Sequence, residues 1–549
     1  MRIEFQNRGR LVVAIVVALS ALLAAPAADA GVCFTSGKVY VQQKVYDKAC
    51  WQLECARKQE PDNPQVYGLL GIARFEQKQY ASAGAVFQTG IDVAVKKKDK
   101  KRQDEMTTNR ASMTARLFNQ GIAALNRAGS ITEDDSRTSD AGTPQAALEK
   151  ERGEPKDYSR FTEGGKIHEI WYYPEQSVAY HFTPGSTEPL QIPYKPFRGP
   201  AEASAAIIDT TIYPAYSGAS AVAEAAYEFE LAMLVDPVSP DIYKNLSYVY
   251  GVLGRPDDAI RAAQAGLKLK PDDKQLTQNL RVAAMGRGNR LFANKKYIDA
   301  VPAYRTAMSF DSAGTVMYLS RIAESYQLAA GPMAEGAPGR DSLLNNAANT
   351  YMQVVEKAPA DSAGMSAKEN SLYNAAVIQM TLNRYEQAVE ILDKGVAIFP
   401  NSKELVLLNG QAKFQMKKPD YPGSVAAMRR VLELDPKDKD AHQFLFLALN
   451  KMNKQDESVA EYTVYKALSD GKQRLGSQLK IWVDSAENRL PKGHQVTKTK
   501  DAQGYPEEIR TFTDGDKMLE SWFYWSKGKS ITFLDGQVFS QATFPAAKH

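Results

Sequence analysis

Five histidines, three cysteines and dispersed carboxylates are the groups in this 549-residue sequence most able to do chemistry. The histidines are His168, His181, His442, His494 and His549. None falls in an H-E-x-x-H helix or stands at zinc-ligand spacing from a cysteine pair. His168 and His181 share one short segment, but a two-His metal site needs a further ligand, so they read as a surface-facing pair. The metal assignment is none. There is no G-x-S-x-G elbow, no phosphate-binding loop and no cysteine-nucleophile signature. No spacing pairs two carboxylates for acid–base work. The catalytic assignment is therefore none, no cofactor is expected, and the chain reads as a non-enzyme.

Charge and aromatic patterns supply the remaining candidates. Lys96-Lys-Lys-Asp-Lys-Lys-Arg102 could meet an anionic partner, yet Asp104 and Glu105 follow at once, and a solvated turn is the simpler reading. Lys plus Arg is 68 against 64 Asp plus Glu, a balance that argues against nucleic acid as partner. Arg2, Arg8 and Arg10 precede the apolar run Leu11–Ala25, and Ala28-Asp29-Ala30 offers a cleavage site. Residues 1–30 thus read as a secretory signal peptide. The expected mature protein is exported, without a stable transmembrane segment, and resides in the periplasm or envelope of a Gram-negative bacterium.

These groups must be positioned by helices, because a repeat runs down the chain. Gly37 and Gly71 are 34 residues apart, as are Ala49 and Ala83, and Leu53 and Phe87. A small–large–small signature recurs at Ala225/Phe229/Ala232, Ala259/Ala263/Gly266, Ala300/Tyr304/Ala307, Ala347/Tyr351/Val354 and Ala388/Leu392/Gly395. Met428/Val431 continue it, and Ser458/Tyr462/Tyr465 form a degenerate last copy. Positions i, i+4 and i+7 share a helical face, and a proline follows several copies to stop the helix. The pattern resembles the tetratricopeptide repeat (TPR) family, whose unit is a pair of antiparallel helices.

That resemblance implies a mainly α fold, an α-solenoid of about nine hairpins between residues 31 and 470. It implies protein partners held on the concave surface of the first helices. The matching positions are Phe118, Asn119, Lys244, Asn245, Tyr248, Asn289, Tyr373, Asn374 and Gln411, with amides able to bond a partner's backbone. The family's paired carboxylate clamp is not reproduced. The helix ending near Arg127 finds its partner only at Ala219–Asp236, so residues 129–217 are inserted inside one repeat. A shorter loop, Ala330–Gly339, interrupts another. The expected organisation is TPR units over 31–128 and 218–470, the insertion at 129–217, and a linker helix with a terminal module over 471–549. Antiparallel pairing brings Cys33, at the start of one helix, beside Cys55, at the end of the next. Cys50 and Cys55 are separated by about 7.5 Å of helical rise. Cys33–Cys55 is the disulfide candidate.

The insertion holds a second kind of repeat. Residues 153–182 align without a gap on 504–533, with ten identities that include Trp171/Trp522 and Tyr173/Tyr524. Alternation and turn signals at Asp514-Gly515, Lys527-Gly528 and Asp535-Gly536 predict antiparallel β-meanders. Four strands are expected in the tail, near 508–513, 517–525, 530–534 and 538–544. Trp and Tyr share a face, as core or as a binding platform. The pattern resembles small β-modules of bacterial envelope proteins. Residues 129–152 and 183–217 read as mobile flanks. The functional expectation is an exported scaffold for envelope assembly or maintenance; the alternative is a protein that binds peptidoglycan or polysaccharide, a cell-wall glycan, through the module aromatics.

Overall fold

Glycine is required where paired helices touch. A Cβ on Gly71 would lie 2.8 Å from the Phe87 ring, and one on Gly121 2.6 Å from the Phe229 ring. Small residues on first helices admit large ones from second helices, the ridge-into-groove packing that the spacing anticipated. The computed structural model describes residues 30–134, 137, 138, 140–194, 196, 197 and 220–547. The leader expected over 1–30 lies outside the described residues, apart from Ala30.

The chain divides into two compact units, Met1–Arg290 and Leu291–His549. That division falls within a helix, not at either expected edge of the insertion. In the first unit, α1 (Ala30–Gln42) pairs with α2 (Tyr46–Gln59), and α3 (Pro64–Glu76) pairs with α4 (Tyr80–Lys96). The long α5 (Lys100–Ala128) packs against α7 (Ala221–Val235) across the insertion. Then α8 (Pro240–Val252) pairs with α9 (Pro256–Leu269), and α10 (Lys274–Ala293) follows. The second unit continues with α11 (Tyr297–Ser309), α12 (Thr315–Ala330), α13 (Arg340–Lys357), α14 (Ser362–Thr381) and α15 (Tyr385–Ile398). It ends its helical array with α16 (Lys403–Gln415), α17 (Tyr421–Leu434), α18 (Lys439–Lys451) and α19 (Gln455–Asp470). Every second-helix signature falls on a helix, and Leu53, Phe87, Phe229, Leu392 and Met428 are fully buried. In α19 Ser458 of the degenerate copy is buried, but Tyr462 and Tyr465 are not, and Ala460, Val464 and Ala467 fill the apolar face in their place. Cys33 and Cys55 are bridged, with Cα atoms 5.9 Å apart, and Cys50 is a free thiol.

The two modules are five-stranded antiparallel sheets, one strand more than the meander reading gave. The first comprises β1 (Ile131–Asp134), α6 (Pro144–Arg152), β2 (Asp157–Glu163), β3 (Lys166–Tyr173), β4 (Val178–Phe182) and β5 (Leu190–Pro193), with strands in sequence order. The second comprises β6 (Lys472–Arg474), α20 (Gly476–Asp484), α21 (Ala486–Arg489), α22 (Val496–Gln503), β7 (Glu508–Asp514), β8 (Lys517–Tyr524), β9 (Lys529–Leu534) and β10 (Gln537–Thr543). The extra strands, β1 and β6, precede the module helices and are too short to show alternation. The expected mobile flanks are folded in part: β1 and α6 occupy the first, with Leu148 buried, and β5 lies in the second. Residues 198–217 lie outside the described residues.

Both sheets use their faces alike. Phe161, Ile170 and Tyr172 join the helical core of the first unit, and Phe512, Leu519 and Phe523 join Ala460, Val464 and Ala467 of α19. On the opposite faces Trp171, Tyr173, Tyr180 and Phe182 pack with Leu148, and Trp522, Tyr524, Ile531 and Phe533 pack with Leu479, Val483 and Val496. An open helical array needs a cover for its last apolar face, and the second sheet covers α19. Thr463 and Ser540 hydroxyls meet at 2.8 Å, and Arg510 donates to the Leu468 carbonyl at 2.9 Å.

Candidate functional site

The residues matched to the family's groove separate into three groups. Some are engaged by their own chain. Lys244 Nζ lies 2.6 Å from Asp241 and 3.6 Å from Asp273, and the bond to Asp241 raises its pKa. Asn245 donates to the Asp241 carbonyl at 2.8 Å, and the half-buried Phe118 ring packs 5.3 Å from Phe229. A second group is partly covered: Asn374 and Gln411 are half-buried. The third faces solvent: Asn119, Asn289, Tyr248 at 46% and Tyr373 at 39% exposure. Burial, then the charge of Glu133 on β1, raises the Tyr248 hydroxyl pKa, so the inserted module borders that side of α8. A residue absent from the sequence reading, Asn279, bridges α10 to α8 by donating to the Lys244 carbonyl at 2.9 Å and Ser247 Oγ at 2.8 Å. Its spacing resembles any exposed amide, so nothing in the sequence distinguished it.

The module aromatics are core, which removes the platform on which the glycan alternative stood. Trp171 and Trp522 are 0% exposed, and Tyr173 and Tyr524 are buried with them. Each indole donates to the carboxylate two residues before it, Trp171 to Glu169 and Trp522 to Glu520, both at 2.6 Å. Tyr173 donates to the Gly153 carbonyl at 3.0 Å and Tyr524 to that of Gly504 at 3.1 Å. Burial pushes the Tyr173 hydroxyl up to about 12. A ring without accessible face cannot stack on a sugar.

His168 and His181 correct the expectation of a surface pair. Both are buried, Nδ1 of one 3.1 Å from Nε2 of the other, with Phe161 stacked on His168. The alternation places them on the sheet face turned to the helices, where the second module carries Leu519 and Thr532. Burial lowers the pKa of both, that of His181 to about 3, so the neutral pair shares one hydrogen bond. Among the described residues no group of three or more His, Cys, Asp or Glu could hold a metal ion.

A buried ionic cluster anchors the insertion, and sequence reading missed it. Asp258, wholly buried, accepts from the Phe197 amide at 2.9 Å and from Arg255 Nε at 2.6 Å, and bonds Arg261. Arg255 lies over the Tyr250 ring at 4.3 Å and the Tyr194 ring at 5.2 Å. Its burial opposes the charge, but Asp258, Tyr250 and Glu230 outweigh that and hold it protonated. Ser159 Oγ donates to the Val252 carbonyl at 2.7 Å, and Glu163 caps the N-terminus of α7 through the Ala221 amide at 2.8 Å. The module is therefore tied into the first unit at both ends.

Residues 369–402, spanning most of α14 and all of α15, match the tetratricopeptide repeat family. These residues carry a tetratricopeptide repeat. Solved TPR structures are similar in fold to parts of it. YrrB, described as a TPR protein with an unusual peptide-binding site, is 12% identical, with 38% of this chain and 93% of that one covered at a TM-score of 0.28. The C-terminal part of a TPR repeat-containing protein from Cytophaga hutchinsonii is 14% identical over 47% of this chain and 93% of that one, TM-score 0.28. MamA from Desulfovibrio magneticus is 15% identical over 42% and 94%, TM-score 0.18. No curated protein matches this chain. No helix among its described residues is long and apolar enough to cross a membrane.

Proposed function

We propose that this TPR protein is an exported, non-enzymatic scaffold of the bacterial envelope that binds protein partners through the first helices of its repeats. The observation that carries the reading is the exposure of Tyr248 on α8 and Tyr373 on α14, large rings left at solvent on helices whose opposite faces are buried. Tyrosine supplies apolar area and a hydrogen-bonding hydroxyl at low entropic cost, which suits a partner surface. Asn119 on α5 and Asn289 on α10 add exposed amides in the first unit, and Asn374 and Gln411 half-buried ones in the second. Export rests on the signal-like residues 1–30, and an envelope role follows from export. The modules serve the array as anchored structural elements, since their aromatic faces are spent on packing.

The test is affinity purification from the native host after crosslinking, with Tyr248→Ala and Tyr373→Ala beside the natural protein. The proposal expects a small set of envelope proteins, depleted in the variants. An unchanged set, or recovery of glycan without protein, rejects it. Sequencing the N-terminus of the purified protein tests export: the expected first residue is Gly31, and retention of Met1 in a cytoplasmic fraction contradicts it.

A further inference from the structure

The first hairpin carries a feature that repeat packing does not require. Along α2 the buried positions are Ala49, Leu53 and Ala56, which press against α1 and α3. The opposite face is polar, except for Trp51, which is 72% exposed. An indole at that position contributes little to folding. It lines a cleft of about 340 Å³ with Tyr40 of α1 and with Asp47, Lys48 and Gln52 of α2. Lys48 Nζ stands 5.8 Å from the centre of the Tyr40 ring. The cleft thus combines two aromatic side chains with a carboxylate, an ammonium and an amide on successive turns of one helix. The Cys33–Cys55 bridge ties together the two helices that form it, so the site is organised before any ligand arrives.

We infer that this cleft is a binding site for one or two pyranose rings of a neutral glycan. A pyranose presents an apolar face of C–H groups, which an exposed indole can cover, and a rim of hydroxyls that both donate and accept. Asp47 accepts, Lys48 donates and Gln52 does both, so the polar side of the cleft matches that rim. Asp47 and Lys48 offset each other in charge, which favours a neutral sugar over an anionic one. The volume lies at the lower end of the range for small-ligand sites, suited to a short sugar unit. The site contains none of the residues matched to the proposed partner surface, and its failure would leave that proposal standing.

The experiment uses the purified chain with cellotriose, maltotriose and chitotriose, read by saturation-transfer NMR and calorimetry. Trp51→Ala and Gln52→Ala are compared with Trp482→Ala, which lies outside the cleft. Binding of at least one neutral oligosaccharide is expected, weakened about tenfold or more by Trp51→Ala, a few-fold by Gln52→Ala, and unchanged by Trp482→Ala. Because Trp51 is exposed, the variant should keep the natural melting temperature, which separates lost binding from lost fold. No binding of any of the three sugars at about 10 mM overturns the assignment, since a site weaker than this contributes under about 3 kcal/mol. So does binding that Trp51→Ala leaves intact.

Discussion

Replacing Trp522 by alanine tests the claim that the module aromatics are core. The indole is fully buried, packs edge-on against Phe533 at 5.2 Å and 64°, and donates to Glu520 at 2.6 Å. A Trp side chain buries roughly 150–250 Å², which at about 25 cal/mol per Å² is an upper bound near 4–6 kcal/mol. Partial collapse of the cavity brings the expectation to about 3–5 kcal/mol. Glu520 would not be left bare, because Trp482 Nε1 also donates to it at 2.8 Å and Arg489 lies 3.8 Å away. Trp522→Phe keeps most of the ring and loses the indole donor, so it should cost less, about 1–2 kcal/mol. Urea unfolding followed by near-ultraviolet circular dichroism, with trypsin sensitivity at Lys517 and Lys527, reads the loss. A shift under about 1 kcal/mol with unchanged protease resistance would refute the reasoning and return the rings to the surface. Trp171→Ala should behave alike, since Glu169 and Phe182 repeat the same contacts.

Further expectations concern the insertion and the N-terminal hairpin. Because His181 is held neutral down to about pH 3 when folded, against a usual value near 6.5, the unfolded chain takes up its proton first as pH falls. Its stabilising contribution is therefore present above pH 6.5 and lost below it, by about 2–3 kcal/mol on reaching pH 4.5; His181→Thr should flatten the melting temperature of the first unit over that interval, and an equally steep variant would contradict the buried pair. Asp258→Ala takes the nearest carboxylate from the buried Arg255, leaving Glu230 at 3.7 Å, and removes the acceptor of the Phe197 amide, so it should cost about 3 kcal/mol, seen as a lowered melting temperature; an unchanged melt would mean the cluster does not anchor the insertion. Gly254 has φ +67°, and a Cβ there would lie 2.4 Å from Ser159 Cβ, so Gly254→Ala should loosen the insertion and speed its proteolysis, a result that an unaltered digest would exclude. Cys33→Ser opens a loop closed over a separation of 22 residues and should cost about 3 kcal/mol, with faster amide exchange confined to α1 and α2; exchange unchanged there would mean the bridge does not stabilise the hairpin.

The helical repeat was legible because its packing rule is local. A small residue at one position and a large one at the paired position are demanded wherever two helices cross, and Gly121 with Phe229 shows the rule surviving an insertion between them. The strands β7 to β10 were legible from alternation and turn residues, to within a residue or two at their ends. Their neighbour β6 was not, since three residues carry no period. The Asp258 cluster depends on Phe197 reaching α9, and the burial of His168 and His181, which sit on adjacent strands, depends on the helices that cover their sheet face. Lys244, matched to the partner surface by its place in the repeat, is already held by Asp241, three residues before it, and by Asp273. The cleft at Trp51 was overlooked because an aromatic residue in a helical repeat reads as packing until its exposure is known.

The account rests on first helices as the partner surface, and site-specific photo-crosslinking in the native host tests that most directly. Photoreactive residues would replace Tyr248, Tyr373 and, on the second helix α15, the exposed Lys394. The account predicts discrete protein adducts at 248 and 373 and none at 394. Equal adducts at all three sites, or adducts at 394 alone, would contradict it.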